Sequence, residues 1–309
     1  MNIIDSFKYL VALEQHKHFS RAAQACHITQ PALSNAIKAL EEEMNIKIVN
    51  RGRNYEGLTL EGNRVLAAAY QVLHEMNALK QEIKGRKHEP RGELVIGSIP
   101  SALPIAANFS VLLQDSFQGL RPVLRSMASH EIELGLEKLS IDLAFGYIER
   151  PQLDAYEPRI LHQYHEEYFL ITKSELSEEK LVDSLSWQEA SALPLCLLTP
   201  EMHNRVLVEN CFKKANVSVT PAMETDSIFT LLLCIQAAGQ LATILSGPMA
   251  NVAVIGKEFS IRRLTDPLEK IPVGILMPSG RQLTIIQETA HKVASSKRWH
   301  RILKSISVP

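Results

Sequence analysis

The sequence predicts a mixed chain in three parts: a small helical head, one long helix, and an α/β body. Three observations carry that expectation. Residues 20–44, SRAAQACHITQPALSNAIKALEEEM, read as two helices joined by a tight turn. Residues 59–85 repeat apolar side chains at heptad spacing without a break. From residue 93 onward strand-like and helix-like stretches alternate, the pattern that builds a parallel sheet with helices on both faces. A length of 309 residues suits two or three domains. With 46% apolar and 22% charged residues the chain has an ordinary globular composition, neither disordered nor fibrous.

The head comes first. Ser20 can cap one helix over Arg21–His27, with Ala22, Ala23 and Cys26 as its small inward face. Thr29 can cap the next, and Pro31 falls in its first turn, where a missing N–H costs nothing. Along that second helix Leu33, Ile37, Leu40 and Met44 follow a +4, +3, +4 spacing, which puts them on one stripe. Gln30, Ser34, Asn35 and Lys38 fall on another stripe, and none is apolar. A helix lying in the major groove of DNA needs this division, because Gln, Asn and Ser read base edges and Lys meets phosphate. An ordinary helical hairpin is the competing reading of this window.

Phe19-Ser20-x-Ala22-Ala23, then Thr29-Gln30-Pro31-Ala32-Leu33-Ser34 through Ile37, Leu40 and Glu41, resembles the winged helix-turn-helix of LysR-type transcriptional regulators. The resemblance extends upstream to Phe7, Leu10 and Val11, and downstream to a wing from Ile46 to Leu58 followed by Leu58-Thr59-x-x-Gly62. One departure is Ile48-Val49, where the family usually has Leu-Phe; both residues are apolar and β-branched and suit a short strand. The resemblance implies an α+β winged helix-turn-helix head over residues 1–58. Its DNA-facing set would be Ser20, Arg21, Thr29, Gln30, Pro31, Ser34, Asn35 and Lys38, with Arg51 and Arg53 of the wing on phosphate.

The long helix follows, from Thr59 to about Gly85. Val65, Ala69, Val72, Met76, Leu79 and Ile83 form the seam, and Leu66 and Leu73 widen it. At ~1.5 Å per residue it spans about 40 Å, too long and one-sided to be stable alone. The same helix of a second subunit would bury that face; packing on the chain's own body is the alternative. The resemblance implies an antiparallel pair, a linker over residues 59–86 and a hinge over 87–92. The charged run Lys84–Gly92, KGRKHEPRG, with Pro90 and Gly92, reads as that hinge.

In the body, Glu93–Ser98, Arg121–Met127, Ile141–Phe145, Glu167–Thr172, Leu193–Leu198, Val217–Met223 and Leu241–Leu245 read as strands, with further strands near 259–264 and 271–277. Helices are expected near 102–115, 130–139 and 227–238, and a closing helix over 282–303. This organisation resembles the LysR effector domain, an α/β body of two lobes of the periplasmic-binding-protein type. The first lobe would take residues 93–161 and 266–303, the second 162–265. Ligands in open parallel sheets sit beyond the carboxyl ends of strands, where helices begin. That rule selects Ser98 and Ser101, Ser129, Thr199 with His203, Asn204 and Arg205, and Asp226. Facing helix starts with one Arg favour a small anion, most simply a carboxylate. The competing reading is that these polar residues only cap helices. The resemblance spans the whole chain, but its specific motifs cover about the first quarter.

Other classes find less support. Net charge is −1; residues 1–90 hold 12 Lys/Arg against 10 Asp/Glu, a net +2, and the remainder 21 against 24, a net −3. That is a feeble basic head, suited to a protein that adds contacts from several copies. MNIIDSFKYL has no basic segment before an apolar core, so a cytoplasmic protein is expected. Residues 227–256 carry no charge, but Gln236, Gly239, Gln240, Gly247 and Pro248 interrupt them, and a buried helix and strand fit better than a membrane span. The four cysteines, 26, 196, 211 and 234, show no metal-binding spacing, and no cofactor is expected. Some LysR-type regulators sense peroxide through a disulfide, and Cys211 resembles its second cysteine; nine residues earlier, where the reactive thiol would sit, stands Met202. A redox-responsive regulator using Cys196 and Cys211 is therefore one alternative. An enzyme is another, although no Gly-x-Ser-x-Gly, phosphate-binding glycine loop or His-Glu-x-x-His occurs. A regulator that works through assembly alone is a third. His162 and His165 are expected in a loop. The leading expectation is a homo-oligomeric DNA-binding regulator, dimer or tetramer, that answers a small anionic effector.

Overall fold

A computed structural model describes residues 2–51, 55–84, 90–149, 157–173, 184–254, 259–279 and 283–307. The chain divides into two compact units, the first made chiefly of residues 1–88.

The first unit opens with helix α1 (Ile3–His16), capped by Asn2, whose side chain accepts from the Ile4 N–H at 3.2 Å. Helix α2 (Phe19–Ala25) starts two residues earlier than the sequence predicts, because its cap is His18, whose ring accepts from the Ser20 N–H at 3.2 Å, and not Ser20. Ser20 thus lies in the first turn. Helix α3 (Gln30–Met44) is capped by Thr29 and ends at Asn45, whose φ of 51° places it in the left-handed region. Strands β1 (Val49–Arg51) and β2 (Tyr55–Leu58) pair antiparallel as a wing. Helix α4 (Leu60–Lys84) follows. One core joins Phe7, Leu10 and Leu13 of α1, Ala22 and Ala23 of α2, Leu33, Ile37 and Leu40 of α3, and Val65, Leu66 and Ala69 of α4.

That core corrects the seam. Val65 and Ala69 are buried in the head of their own chain, so the first third of the heptad stripe is already covered. Val72, Leu79 and Ile83 are exposed, Leu79 by 55% and Ile83 by 74%. The stripe is therefore divided along one helix into a buried and an exposed part, which spacing alone could not show.

The second unit contains two main sheets. Strands β3 (Gly92–Ser98), β4 (Leu120–Ser126) and β5 (Leu143–Tyr147) are mutually parallel through β3. Strand β6 (Arg159–Glu166) belongs to the same sheet, whose order is β4-β3-β5-β13-β6 once β13 (Ile271–Met277) is added antiparallel between β5 and β6. Helix α5 (Leu103–Ser116) follows β3 and helix α6 (Ser129–Glu137) follows β4. Strand β7 (Tyr168–Lys173) opens the second sheet, ordered β11-β7-β12-β8, with β8 (Ser184–Ser186), β11 (Ala242–Ser246) and β12 (Phe259–Thr265). Around it lie α7 (Trp187–Ser191), the parallel pair β9 (Cys196–Leu198) and β10 (Met223–Thr225), α8 (His203–Lys214), α9 (Ile228–Ala237) and α10 (Gly247–Val254). Helices α11 (Ile285–Ala294) and α12 (Lys297–Ile306) close the chain.

Several expectations change here. Both sheets are mixed, not purely parallel, because the chain returns to the first sheet antiparallel to β5. His162 and His165 lie on β6 rather than in a loop. Its inward side chains are His162, Tyr164 and Glu166, so the buried face lacked an aliphatic signal. The crossing between lobes therefore falls at Glu166–Glu167, five residues later than the 161/162 boundary. Val217–Met223 is irregular up to β10: Pro221 has no N–H to donate, and Val217 and Val219 pack inward from a loop. The closing helix is two helices, because Ser296 caps α12 by accepting from the Trp299 N–H at 3.1 Å. Each lobe has an aromatic centre. Phe109 of α5 meets Trp299 of α12 at 4.8 Å between ring centroids, and Trp187 of α7 meets Phe212 of α8 at 5.1 Å.

Candidate functional site

The helix expected to face a DNA groove is α3. Leu33, Ile37 and Leu40 are fully buried, which fixes the rotation of the helix about its axis. Gln30, Pro31, Asn35 and Lys38 are then exposed and Ser34 is half-buried, so the predicted polar stripe faces out. Arg21 is exposed on α2 beside it in sequence, as is Ser20. Lys38 lies 3.7 Å from Glu42, a solvated pair that holds the cation only weakly. Thr29 serves its helix by accepting from the Ala32 N–H at 3.4 Å. Of the wing arginines, Arg53 and the side chain of Arg51 lie outside the described residues.

The wing is held by motif residues Glu41, Thr59 and Gly62 and by Asn50 and Tyr55. Glu41, at the end of α3, accepts from the N–H groups of Ile48 and Val49 at 2.9 and 3.1 Å through one oxygen. Asn50 donates to the Leu58 carbonyl at 3.1 Å across the strand pair. Tyr55 donates to Glu14 and its ring stands edge-on to Phe19, tying the wing to α1 and α2. Burial and that carboxylate push the Tyr55 hydroxyl well above the ordinary tyrosine range. Thr59 donates to the Lys47 carbonyl at 2.6 Å and accepts from the Gly62 N–H at 2.8 Å. A Cβ on Gly62 would lie 2.0 Å from the Ile48 carbonyl oxygen, so the Thr59-x-x-Gly62 spacing marks a close approach of two backbones.

The second site is a cleft between the two lobes, a cavity of about 140 Å³. Four predicted residues line it: Ser101 ahead of α5, Ser129 at the start of α6, and His203 and Asn204 in the first turn of α8. Helix starts from both lobes therefore converge on one space. Asn204 donates to the hydroxyls of Tyr147 and Tyr168 at 3.1 and 3.4 Å, and the Ser101 and Tyr147 hydroxyls lie 3.2 Å apart. Ser246 of the second lobe donates to the Ser101 carbonyl at 3.4 Å. Behind them Glu166 is 1% exposed; Tyr164 donates to its Oε1 at 3.2 Å, and the Ser101 and Ser246 hydroxyls also favour its ionised form. Burial pushes the Glu166 carboxyl up to about 7. A larger cavity of about 340 Å³ lies beside α6 and shares Ser129 and Tyr147 with the cleft; its other walls include apolar Ile132, Leu136, Ile148 and Leu276 and the carboxylates Glu133 and Glu157.

The other four expected residues do not line this cavity. Ser98 is buried and donates to the Ile99 carbonyl at 2.9 Å. Thr199 closes a turn by accepting, through its carbonyl, from the Met202 N–H at 3.0 Å, and Asp226 is exposed ahead of the α9 cap, Ser227. Arg205 is the main correction. It is only 6% exposed, and its guanidinium donates to Glu209 at 2.9 Å, Glu224 at 2.6 Å and the Leu198 carbonyl at 2.5 Å. Helix α8 points residue 205 into the lobe and residues 203 and 204 into the cleft, so the guanidinium staples β9, β10 and α8. Tyr147, which sequence reasoning missed, sits at the carboxyl end of β5, the same kind of position that selected Ser129.

The four cysteines are unpaired. Cys196 and Cys211 belong to different core clusters. Burial and the neighbouring Cys234 push the Cys196 thiol up to about 11, and burial pushes Cys211 up to about 12. Met202 lines the cleft. Among the described residues no group of three or more His, Cys, Asp or Glu is placed to hold a metal, and no helix is long and apolar enough to cross a membrane.

Residues 4–63 match the bacterial regulatory helix-turn-helix protein, lysR family, and residues 87–289 match the LysR substrate binding domain. This chain belongs to the LysR family. Among relatives, the LysR-family chain is 32% identical to the hydrogen peroxide-inducible genes activator of Dickeya chrysanthemi over 195 residues, 59% of this chain and 63% of that protein, a little under two thirds of its length. It is 36% identical to the protein of the same description in Haemophilus influenzae over 145 residues, 47% of this chain and 48% of that one. A full-length OxyR variant from Pseudomonas aeruginosa shares the fold, with a TM-score of 0.70 at 19% identity over 94% of this chain and 96% of that one. Full-length CbnR complexed with its target DNA does so with a TM-score of 0.64 at 18% identity over 94% and 98%. The winged head, long helix and two-lobed α/β body are thus the fold of this LysR-family chain.

Proposed function

We propose that the chain is a sequence-specific DNA-binding regulator of transcription whose hold on DNA is set by a small ligand in the interlobe cleft. The observation that carries the reading is the division of α3: three fully buried aliphatic residues on one side, and Gln30, Asn35 and Lys38 exposed on another with Ser34 between. Gln30 and Asn35 supply paired donors and acceptors for base edges, Ser34 a hydroxyl, and Lys38, Arg21, Arg51 and Arg53 phosphate contacts. Residues 1–58 act as the reading head and 59–86 as the linker, hinged over 87–92. The exposed Val72, Leu79 and Ile83 pair two chains, and a homodimer or homotetramer presents several heads to duplex DNA in the cytoplasm. The chain works as a regulator, not as a catalyst, and needs no cofactor.

For the ligand, converging helix starts and the hydroxyls of Ser101 and Ser129 with Asn204 favour a small anion such as a carboxylate. With Arg205 committed elsewhere, its charge would be met by backbone N–H dipoles and the imidazoles of His130 and His203. The relatives named for hydrogen peroxide raise a redox reading through Cys196 and Cys211. Burial in separate clusters and raised thiol pKa values favour the ligand reading.

Selection of binding sites from a random duplex pool, followed by titration of the selected and a scrambled duplex, tests the head. Gln30→Ala should cost roughly 10–100-fold on the selected site, the ~1–3 kcal/mol of one bidentate contact, and little on the scrambled one. Equal losses on both would remove base reading from that position.

A further inference from the structure

Helix α12 carries Lys297, Arg298, Arg301 and Lys304 within ten residues, and no carboxylate. Its buried face is Trp299 and Leu303, the former locked edge-on against Phe109 and Phe145, so the helix cannot roll. At 100° per residue Lys297, Arg301 and Lys304 share one outward stripe, with Arg298 at its flank. All four are exposed, and none pairs with a carboxylate among the described residues. His300 is turned away from the stripe towards His162, 4.5 Å between ring centroids. A stripe of three unneutralised cations, with a fourth at its flank, stands out on a body whose net charge over residues 91–309 is negative, 21 Lys/Arg against 24 Asp/Glu.

We propose that this outward face of α12 is a docking surface for the phosphate backbone of duplex DNA, a contact separate from the base-reading head. Its charge complements a rigid polyanion. The three stripe cations span about 10 Å along the helix, at ~1.5 Å per residue, against a phosphate every ~3.4 Å of rise along one strand. A lipid surface fits less well, because interfacial helices insert an apolar face and the apolar face of α12 is already buried in its own lobe. The proposal rests on the reading of the chain as a DNA-binding protein, and the experiment separates the two.

The full chain would be titrated with a long random-sequence duplex between 50 and 200 mM salt. Wild type is compared with Lys297→Gln/Arg301→Gln/Lys304→Gln and with an equally charged control, Lys173→Gln/Lys213→Gln/Lys270→Gln, drawn from exposed lysines elsewhere on the body. Each lost phosphate contact lowers the slope of log K against log salt by ~0.9, so the α12 variant should lose up to ~2.7, a roughly 40-fold smaller affinity change across that range. The control should keep the wild-type slope, and circular dichroism should match for all three. An unchanged slope for the α12 variant overturns the proposal while leaving the head intact. An equal fall in the control also overturns it, because net charge and not the stripe would then be acting. A changed mass by light scattering with an unchanged slope would assign the face to a second copy instead. A wild type that fails to bind any duplex would remove the DNA-binding reading itself.

Discussion

Glu166→Gln should abolish a pH dependence of stability that the wild type carries. The carboxyl is 1% exposed and ends the strand that crosses between lobes, and burial, outweighing hydrogen bonds from Ser101, Tyr164 and Ser246, raises it from 4.5 to about 7. Between those values the folded chain holds a proton that the unfolded chain releases. Stability attributable to this group is therefore full below pH 4.5 and falls as pH rises towards 7. At ~1.4 kcal/mol per unit, the shift corresponds to a loss of about 3 kcal/mol by pH 8. Glutamine keeps the shape and an oxygen to accept from Tyr164, but cannot ionise. Urea unfolding followed by tryptophan fluorescence suits the assay, since the only two tryptophans, Trp187 and Trp299, are buried in different lobes of this body. Variant and wild type should have similar midpoints near pH 5, diverge in the variant's favour as pH rises to 7, and keep that gap at pH 8. Asp142, raised by burial to about 6 while accepting from the Val95 N–H at 2.8 Å, contributes a slope of the same sign to both proteins, so the difference isolates Glu166. Parallel stability curves from pH 5 to 8 would refute the reasoning.

Three other changes probe separate joints. Gly62→Ala puts a Cβ 2.0 Å from the Ile48 carbonyl and should destabilise the head by about 1–3 kcal/mol, read as a lowered melting temperature; an unaltered melt would show that the wing junction yields freely. Arg205→Ala should lower stability by roughly 1–3 kcal/mol, discounted because Glu209 and Glu224 are each about two-fifths exposed, while leaving the thermal shift produced by a bound small carboxylate unchanged; a lost ligand shift at unchanged basal stability would return the guanidinium to the cleft. Leu79→Asp should give monomers in light scattering, and an unchanged mass would mean that this face is covered by other means.

The head was legible because its two tasks use different alphabets. Leu33, Ile37 and Leu40 had to be aliphatic to fill the space between α1 and α2, which left Gln30, Ser34, Asn35 and Lys38 nowhere to go but outward. Where one alphabet serves two tasks, periodicity fails. Val65 and Leu79 look alike in a heptad, yet one closes the head and the other is left exposed. Strand β6 was missed for the converse reason, since His162, Tyr164 and Glu166 look like loop residues until the strand pairs with β13 and turns them inward. Arg205 and Asn204 show the limit at its sharpest. Adjacent residues at a helix start differ by 100° in direction, and only the lobe's own packing decides which one meets the ligand space. The guanidinium went inward because Glu209, Glu224 and the Leu198 carbonyl already formed a complete acceptor set there. A charge chosen from sequence as a ligand anchor must therefore be weighed against every acceptor that its own lobe can bring to it. The cleft that results holds an amide, hydroxyls and imidazoles beside a buried acid, so the ligand proposed for it would be recognised by hydrogen-bond geometry and helix dipoles more than by a fixed side-chain cation.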